Sequence, residues 1–226
     1  MITIVTLLSS TVAAYRLNTS IYKRWRGIWS SPLILTPLAI IAILPLAGVS
    51  YDTYVASTRP LLWMIGPLTL ALAVPVYQQR AFIRHWWPAL VVGTIVSGTT
   101  AMISAIELAH FFDLPSTIAH SLVARSVSLP FAFVVADEIS GARDLTTLFV
   151  VVSGLVGIVV GDVLLVLMRL RSAQAHGATL GAIAQVAGVA RAHDRGTPNG
   201  VMASLTMVFS GAFAVLAAPF LVRFLQ

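Results

Sequence analysis

The chain contains no cysteine and few charged residues, and both absences limit what it can be. The lack of cysteine excludes disulfides, thiolate metal sites and cysteine nucleophiles. Charged residues make up only 10% of the 226 residues, whereas about a quarter of the residues in a typical soluble domain are charged. Hydrophobic residues make up 58%, and the mean hydropathy is +0.92. This composition predicts an all-α integral membrane protein surrounded by a lipid bilayer.

The length sets the number of membrane segments. Crossing a bilayer takes roughly 20 apolar residues, so residues 1–226 have room for about six or seven segments in a single transmembrane domain. The first segment lacks the features of a cleaved signal and is expected to remain as a helix. The uncharged runs predict spans at residues 2–14, 33–49, 60–77, 88–109, 145–168 and 201–222.

The net charge of +6 does not indicate a nucleic-acid partner. The basic residues form short clusters between apolar runs, such as Lys23, Arg24 and Arg26, with Trp29 close by. Basic and aromatic residues together at a helix end are typical of the cytoplasmic membrane interface. We therefore expect a multi-pass protein of the bacterial inner membrane.

Two stretches do not fit a simple membrane helix. Residues 116–141 are interrupted by Arg125, Ser126, Ser128 and Pro130, and residues 172–191 are rich in Gly and Ala but contain Gln185. Charge placement puts both ends of residues 116–141 on the outer side. That stretch is either a re-entrant hairpin or two short packed segments, and the sequence leaves both alternatives open, as it does the re-entrant nature of residues 172–191.

A repeated pattern favours two halves of inverted topology. Pro67 and Pro130 each open a proline-interrupted apolar stretch that leads into a glycine-rich span, and the same offset of 63 residues aligns Gly98 with Gly161. The basic flanks imply that the two spans run in opposite directions. We predict an inverted repeat with halves at residues 31–110 and 116–222.

Paired, interrupted segments in the two halves of a transporter are typical of its binding site. The free N–H groups and positive dipole end of a half-helix suit an anion. This reasoning selects Gly66, Pro67 and Thr69 in the first half, and Arg125, Ser126, Ser128 and Pro130 in the second, as substrate-binding residues. The alternative is that the prolines are kinks and the hydroxyls cap local carbonyls.

Several ordered motifs resemble those of the LrgB family. They are Tyr51-Asp52-x-Tyr54, the stretch from Pro67 to Pro75-Val-Tyr77, Arg125-Ser-Val-Ser-Leu-Pro130, and Gly177-x-x-x-Gly181-x-x-x-Gln185-x-x-Gly188-x-Ala190-Arg191. The resemblance runs from about residue 30 to the C-terminus. It implies a transporter of small monocarboxylates such as glycolate, glycerate, lactate or pyruvate, accompanied by a small LrgA/CidA-like membrane protein.

The resemblance also implies an alternative function, a holin/antiholin-like regulator of murein hydrolase activity and lysis. We expect no catalytic residues, no metal and no cofactor, because the sequence contains no H-E-x-x-H or G-x-S-x-G motif and no carboxylate cluster inside a span. We also expect a homo-oligomer.

Four residues depart from the family pattern. Leu129 and Val189 replace threonines, and Gln185 and Asp162 replace histidines. Gln185 joins the predicted substrate-binding set, although glutamine cannot carry a coupling proton as histidine can. Asp162 is either a coupling or polar lining residue or a residue close to the interface, since an intramembrane carboxylate normally faces protein or water.

Overall fold

The structure is a computed structural model that describes residues 2–25, 30–71 and 73–225. Within these residues the chain is helical and contains no β-strand, as predicted. It divides into two compact units, Met1–Pro67 and Leu68–Gln226. Arg26 and Trp29 of the predicted interface cluster lie outside the described residues.

The first unit is built on a long N-terminal helix. It contains α1 (Ile2–Arg24), α2 (Pro32–Leu46), α3 (Tyr51–Trp63) and the start of α4 (Ile65–Ala71). The buried side chain of Asn18 donates a hydrogen bond to Thr36 Oγ1 at 3.0 Å, and the hydroxyls of Thr11 and Tyr54 lie 3.1 Å apart. The prediction that the first helix ends near residue 14 is wrong. The helix continues to Arg24 because no Gly or Pro interrupts residues 15–24.

Among the described residues, the second unit contains three helices that are long and apolar enough to cross a membrane. They are α6 (Arg80–Phe111), α9 (Arg143–Leu167) and α11 (Thr197–Leu225). The shorter helices are α5 (Ala73–Gln78), α7 (Ser116–Val123) and α8 (Leu129–Glu138), and α10 (Ala173–Asp194) is interrupted. The prediction of six or seven membrane segments stays a prediction.

The three long helices define two ends of this unit. Leu90 packs against Met202 and Leu205, and Ile106 belongs to one cluster with Val222, so α6 and α11 run parallel. Helix α9 runs antiparallel to them. One end carries Arg169, Arg171, Arg191 and Arg195, and we call it the basic end; the other carries Glu107, Asp113, Asp137, Glu138 and Asp144, and we call it the acidic end.

Residues 116–138 form a helical hairpin, which we call the first hairpin. Helix α7 descends from the acidic end, a 3-10 turn covers Ala124–Ser126, and α8 returns to the same end. The hydroxyl of Ser121 accepts a hydrogen bond from the Ala142 N–H at 2.9 Å, which ties α7 to the segment that follows α8. The stretch is therefore two short helices joined by a turn, and its re-entrant position in the membrane stays a prediction.

Residues 173–194 form a second hairpin, which descends from the basic end. Helix α10 is interrupted at Gln185, where φ is 51° and ψ is −133°. A Cβ atom on Gly188 would overlap the carbonyl of Leu180, eight residues earlier, which a continuous helix would place about 12 Å away along its axis. His176 and Arg195, from the two limbs, line one cavity. The chain therefore reverses at Gln185 and returns to its starting end.

Candidate functional site

The two hairpins meet near the middle of the second unit. The side-chain N–H of Gln185, at the tip of the second hairpin, donates a hydrogen bond to the carbonyl oxygen of Ser126, at the tip of the first. Helix α9 approaches the second tip closely, because Gly157 leaves room for the carbonyl of Ile183. Near the middle of the second unit, two helix interruptions are therefore in direct contact.

A small cavity lies beside this contact. It has a volume of about 10 Å³, which is enough for about one water molecule. Its polar lining comes from Ser97 of α6, Ser126 of the first tip and Ser210 of α11. Small residues supply much of the remainder, including Gly98, Ala101, Ala182 and Ala214. No acidic side chain lines this cavity among the described residues.

Polar atoms around the two tips are buried without a partner. Within the described part of the chain, Ser128 Oγ, Gln185 Oε1 and Ser210 Oγ accept and donate no hydrogen bond. The residues that carry them are only 2–3% exposed. An unsatisfied buried polar group costs about 1–3 kcal/mol, and each such group in a folded protein calls for an explanation. A ligand between the tips that offers acceptors to the two hydroxyls and a donor to the Gln185 oxygen would satisfy them.

The electrostatics of this region favour an anion. Helix α8 begins at Leu129 with Ser128 as its N-cap, and the Ser128 side chain makes no capping hydrogen bond. The returning limb of the second hairpin also begins at its tip, just after Gln185. Two positive helix ends therefore point toward the meeting point of the tips. Arg125 is half-buried at the first tip and has no ion-pair partner among the residues described.

The backbone of Gln185 is strained. Its φ of 51° lies in the left-handed region, and together with ψ of −133° it matches the first central position of a type II′ turn. Glycine is the usual residue there, and a non-glycine residue in such a region costs about 1–3 kcal/mol. Strain of this kind clusters at functional sites.

A second cavity leads from the acidic end toward the tips. It has a volume of about 230 Å³ and lies between α6, α7 and α11. His110, Ser116 and His120 supply its polar lining. Val123 lines both this cavity and the small central one. We call the larger cavity the vestibule.

Comparison with known proteins identifies the family. A family model described as the LrgB-like family matches residues 11–224. The chain belongs to the LrgB-like family. It is similar to the uncharacterized protein YwbG of Bacillus subtilis, with 31% identity over 95% of this chain and 96% of the relative. It is also similar to the antiholin-like protein LrgB of the same species, with 26% identity over 94% and 92% of the two chains.

A third relative is the uncharacterized protein YxaC of Bacillus subtilis, which is 29% identical over 94% of this chain and 92% of its own length. No solved structure matches the chain. The relatives therefore identify the family, and the chemistry of the site has to be inferred from its geometry.

The glycine-rich motif that resembled the LrgB family forms the second hairpin. Gly177 and Gly181 give α11 room to approach, since a Cβ atom on either would meet its backbone, and Gly188 closes the hairpin against Leu180. Arg191, the last residue of the motif, lies in the last turn of α10. It donates to Asp162 at 3.0 and 3.2 Å, and Arg195 donates to the same carboxylate at 2.6 Å.

The predicted site residues divide into three groups. Arg125, Ser126, Ser128 and Pro130 lie at the tip of the first hairpin or at the start of α8 and are brought together with Gln185. Asp162 lies at the basic end, away from the tips, in the ion pairs with Arg191 and Arg195. Gly66 and Pro67 lie in α4 at the end of the first unit, just after the helix interruption at Met64. The side chain of Thr69 lies outside the described residues.

Sequence reasoning missed the two other polar residues that line the central cavity, Ser97 and Ser210. Both lie inside long apolar helices and belong to no motif. An isolated serine in such a helix usually bonds a carbonyl of its own helix, and Ser97 does so with Thr94 at 3.3 Å. Their position opposite the tips depends on how α6 and α11 pack, which the sequence does not indicate.

Proposed function

We propose that this protein transports small monocarboxylates, such as glycolate, glycerate, lactate or pyruvate, across the bacterial inner membrane by alternating access. The observation that carries the proposal is the contact between Gln185 and Ser126, which joins two helix interruptions inside the membrane-spanning unit. Interrupted helices at membrane depth are tolerated where they are buried in protein or line a water-filled cavity. Transporters use such interruptions to hold substrates and ions.

The binding step uses residues of both tips. A carboxylate between the tips would face the positive ends of two half-helices and would lie at the turn that carries Arg125. The unpartnered hydroxyls of Ser128 and Ser210 would donate hydrogen bonds to it. The described residues that line the central cavity include no carboxylate, so an anionic substrate meets no like charge from them.

The transport step requires the hairpins to separate. A cavity of about 10 Å³ is too small for a three-carbon acid, so the structure corresponds to a closed state. The vestibule reaches Val123 from the acidic end, so a small movement of α7 would connect it with the site. On the other side, the second hairpin would have to leave α9, and the ion pairs of Asp162 with Arg191 and Arg195 hold it there.

The helix order supports two hairpins that open toward opposite ends of the unit. Helix α6 followed by the first hairpin, and α9 followed by the second, are the same arrangement in opposite orientations. Arg80 and Arg143 begin α6 and α9 with the predicted separation of 63 residues. The two segments paired in this way do not have the same bounds as the predicted repeat halves, residues 31–110 and 116–222. Those halves stay a prediction. The positive-inside rule would place the basic end in the cytoplasm.

A second candidate function is holin/antiholin-like regulation of murein hydrolases, exerted with an LrgA/CidA-like partner. The observation that favours it is the similarity to a relative named antiholin-like protein LrgB. The name of that relative indicates regulation rather than transport. A regulator acts by assembly and needs no saturable site. Transport assays with and without a co-expressed LrgA-like protein separate an obligatory partner from an accessory one.

Transport in proteoliposomes distinguishes the two functions. Flux of labelled glycolate, lactate or pyruvate should saturate with concentration and should fall at least tenfold in Arg125→Ala. The matched control is Arg143→Ala, which removes an exposed arginine that pairs with Asp137 at the acidic end. Flux that does not saturate, or that responds equally to the two substitutions, would favour a pore or a regulator.

A further inference from the structure

A third cavity lies at the basic end, remote from the tips of the hairpins. It has a volume of about 410 Å³ and lies between the end of α9, the connection to α10 and the returning limb of the second hairpin. Its charged and titratable lining is Asp162, Arg169, Arg171, His176 and Arg195. Three arginines, two from the connection between α9 and α10 and one from the end of the returning limb, therefore line one cavity that contains a single carboxylate.

The charge in this cavity is not balanced by protein groups. The carboxylate of Asp162 is already shared by Arg191 and Arg195. The side chains of Arg169 and Arg171 make no ion pair or hydrogen bond with the described residues. His176 is held in place by its ring nitrogen Nε2, 2.7 Å from the carbonyl oxygen of Leu170. Two guanidinium groups therefore remain available to an anion.

The backbone at Arg169 supports a role beyond ending the helix. Arg169 has φ of 52°, in the left-handed region, at the position where α9 ends. The N–H of Leu170 bonds the carbonyl of Leu165 at 3.2 Å, and the N–H of Arg169 bonds that of Val166 at 3.1 Å. Glycine is the usual residue at this position of such a helix end. An arginine there adds strain and places its charge beside the cavity.

We propose that this cavity binds the phosphate group of an anionic phospholipid headgroup and thereby holds the second hairpin against α9. Arginine side chains bind phosphate oxygens in pairs of hydrogen bonds. Basic pockets between membrane helices on the cytoplasmic side suit anionic headgroups. The bound headgroup would bridge Arg169 and Arg171, at the end of α9, to Arg195 of the returning limb. This site is independent of the substrate proposed above.

Thermal unfolding of the purified protein in detergent tests the proposal. Added phosphatidylglycerol should raise the Tm of the wild type by several degrees, and phosphatidylcholine should not. Inorganic phosphate is the third addition, and a comparable rise with phosphate alone would overturn the lipid as the ligand in favour of a soluble phosphate compound. Absence of a rise with either would overturn the site.

Substitutions inside and outside the cavity test where the lipid binds. Arg171→Gln should lose at least half of the phosphatidylglycerol increment. Arg84→Gln removes an exposed arginine near the start of α6, at the same end but outside the cavity, and should keep the whole increment. Arg169→Gly relieves the left-handed strain, so its Tm without lipid should rise while its lipid increment falls. An unchanged increment in both Arg169→Gly and Arg171→Gln would contradict the proposal.

Discussion

Gln185 donates a hydrogen bond to the carbonyl oxygen of Ser126, 59 residues earlier in the chain. The donor belongs to the tip of a hairpin that descends from the basic end, and the acceptor belongs to the tip of one that descends from the acidic end. Each hairpin therefore contributes to fixing the position of the other. A ligand between the tips would interact with both, so its binding would be coupled to the movement of either hairpin.

The strain at Gln185 predicts a difference between two substitutions. Both Gln185→Ala and Gln185→Gly remove the side-chain amide, but only glycine adopts φ of 51° without strain. The free energy of unfolding of the glycine variant should therefore be about 1 kcal/mol higher than that of the alanine variant. Thermal unfolding in detergent measures the difference. An alanine variant as stable as the glycine variant would show that the residue is not in the left-handed region.

Gly188 should tolerate no side chain. A methyl group there would overlap the carbonyl of Leu180 and prevent the second hairpin from closing, so Gly188→Ala should destabilise by about 1–3 kcal/mol or more. Gly93→Ala is the matched control, because a Cβ atom at Gly93 meets no atom within 4 Å. That variant should be as stable as the wild type or more stable. Equal stability of the two variants, measured by thermal unfolding, would argue against the reversal at Gln185.

The sequence indicated where the helices are interrupted but not how the interruptions fold. Proline and serine marked the first tip, and Pro130 does lie at the start of α8. Whether the two limbs form a hairpin depends on the tertiary contact between Ser121 and Ala142, which no local pattern encodes. The second reversal occurs at Gln185, a residue that neither favours a left-handed backbone nor breaks a helix. Its geometry is imposed by close packing at Gly157 and Gly188.

A histidine at position 185 should make transport depend on pH. Histidine titrates near pH 6.5, and a protonated ring between the tips would attract a carboxylate. For Gln185→His, the KM for monocarboxylate should therefore be several-fold lower at pH 6 than at pH 8. This decrease should be larger than the change in KM of the wild type over the same pH range. Gln174→His places a histidine on the same hairpin near the basic end and is the control. The idea fails if both variants respond to pH as the wild type does.

The vestibule should be the access route from the acidic end. Ala119→Trp would fill the cavity beside Val123, so it should lower flux at least fivefold with little change in stability. Val134→Trp adds the same ring on the exposed face of α8 and should transport normally. Flux in proteoliposomes and Tm in detergent are the two measurements. Normal flux through the Ala119→Trp protein would place the route elsewhere.

Charge pairing shows another limit of sequence reasoning. The placement of Arg169 and Arg171 at a helix end followed from the end of an apolar run, and α9 does end at Leu167. The partners of Asp162 could not be read in the same way, because Arg191 and Arg195 reach it only after the second hairpin has reversed. An interaction across 29 residues of chain depends on the fold rather than on spacing.

Single-cysteine labelling tests the opposed hairpins directly, since the natural chain has no cysteine. Cysteine replaces Ser116 or Asp144, which bracket the first hairpin, and Ser172 or Thr197, which bracket the second; all four residues are exposed. A membrane-impermeant maleimide should label positions 116 and 144 from one side of the membrane and positions 172 and 197 from the other. Labelling of 172 and 197 from opposite sides would mean that α10 crosses the membrane and that the tips do not meet.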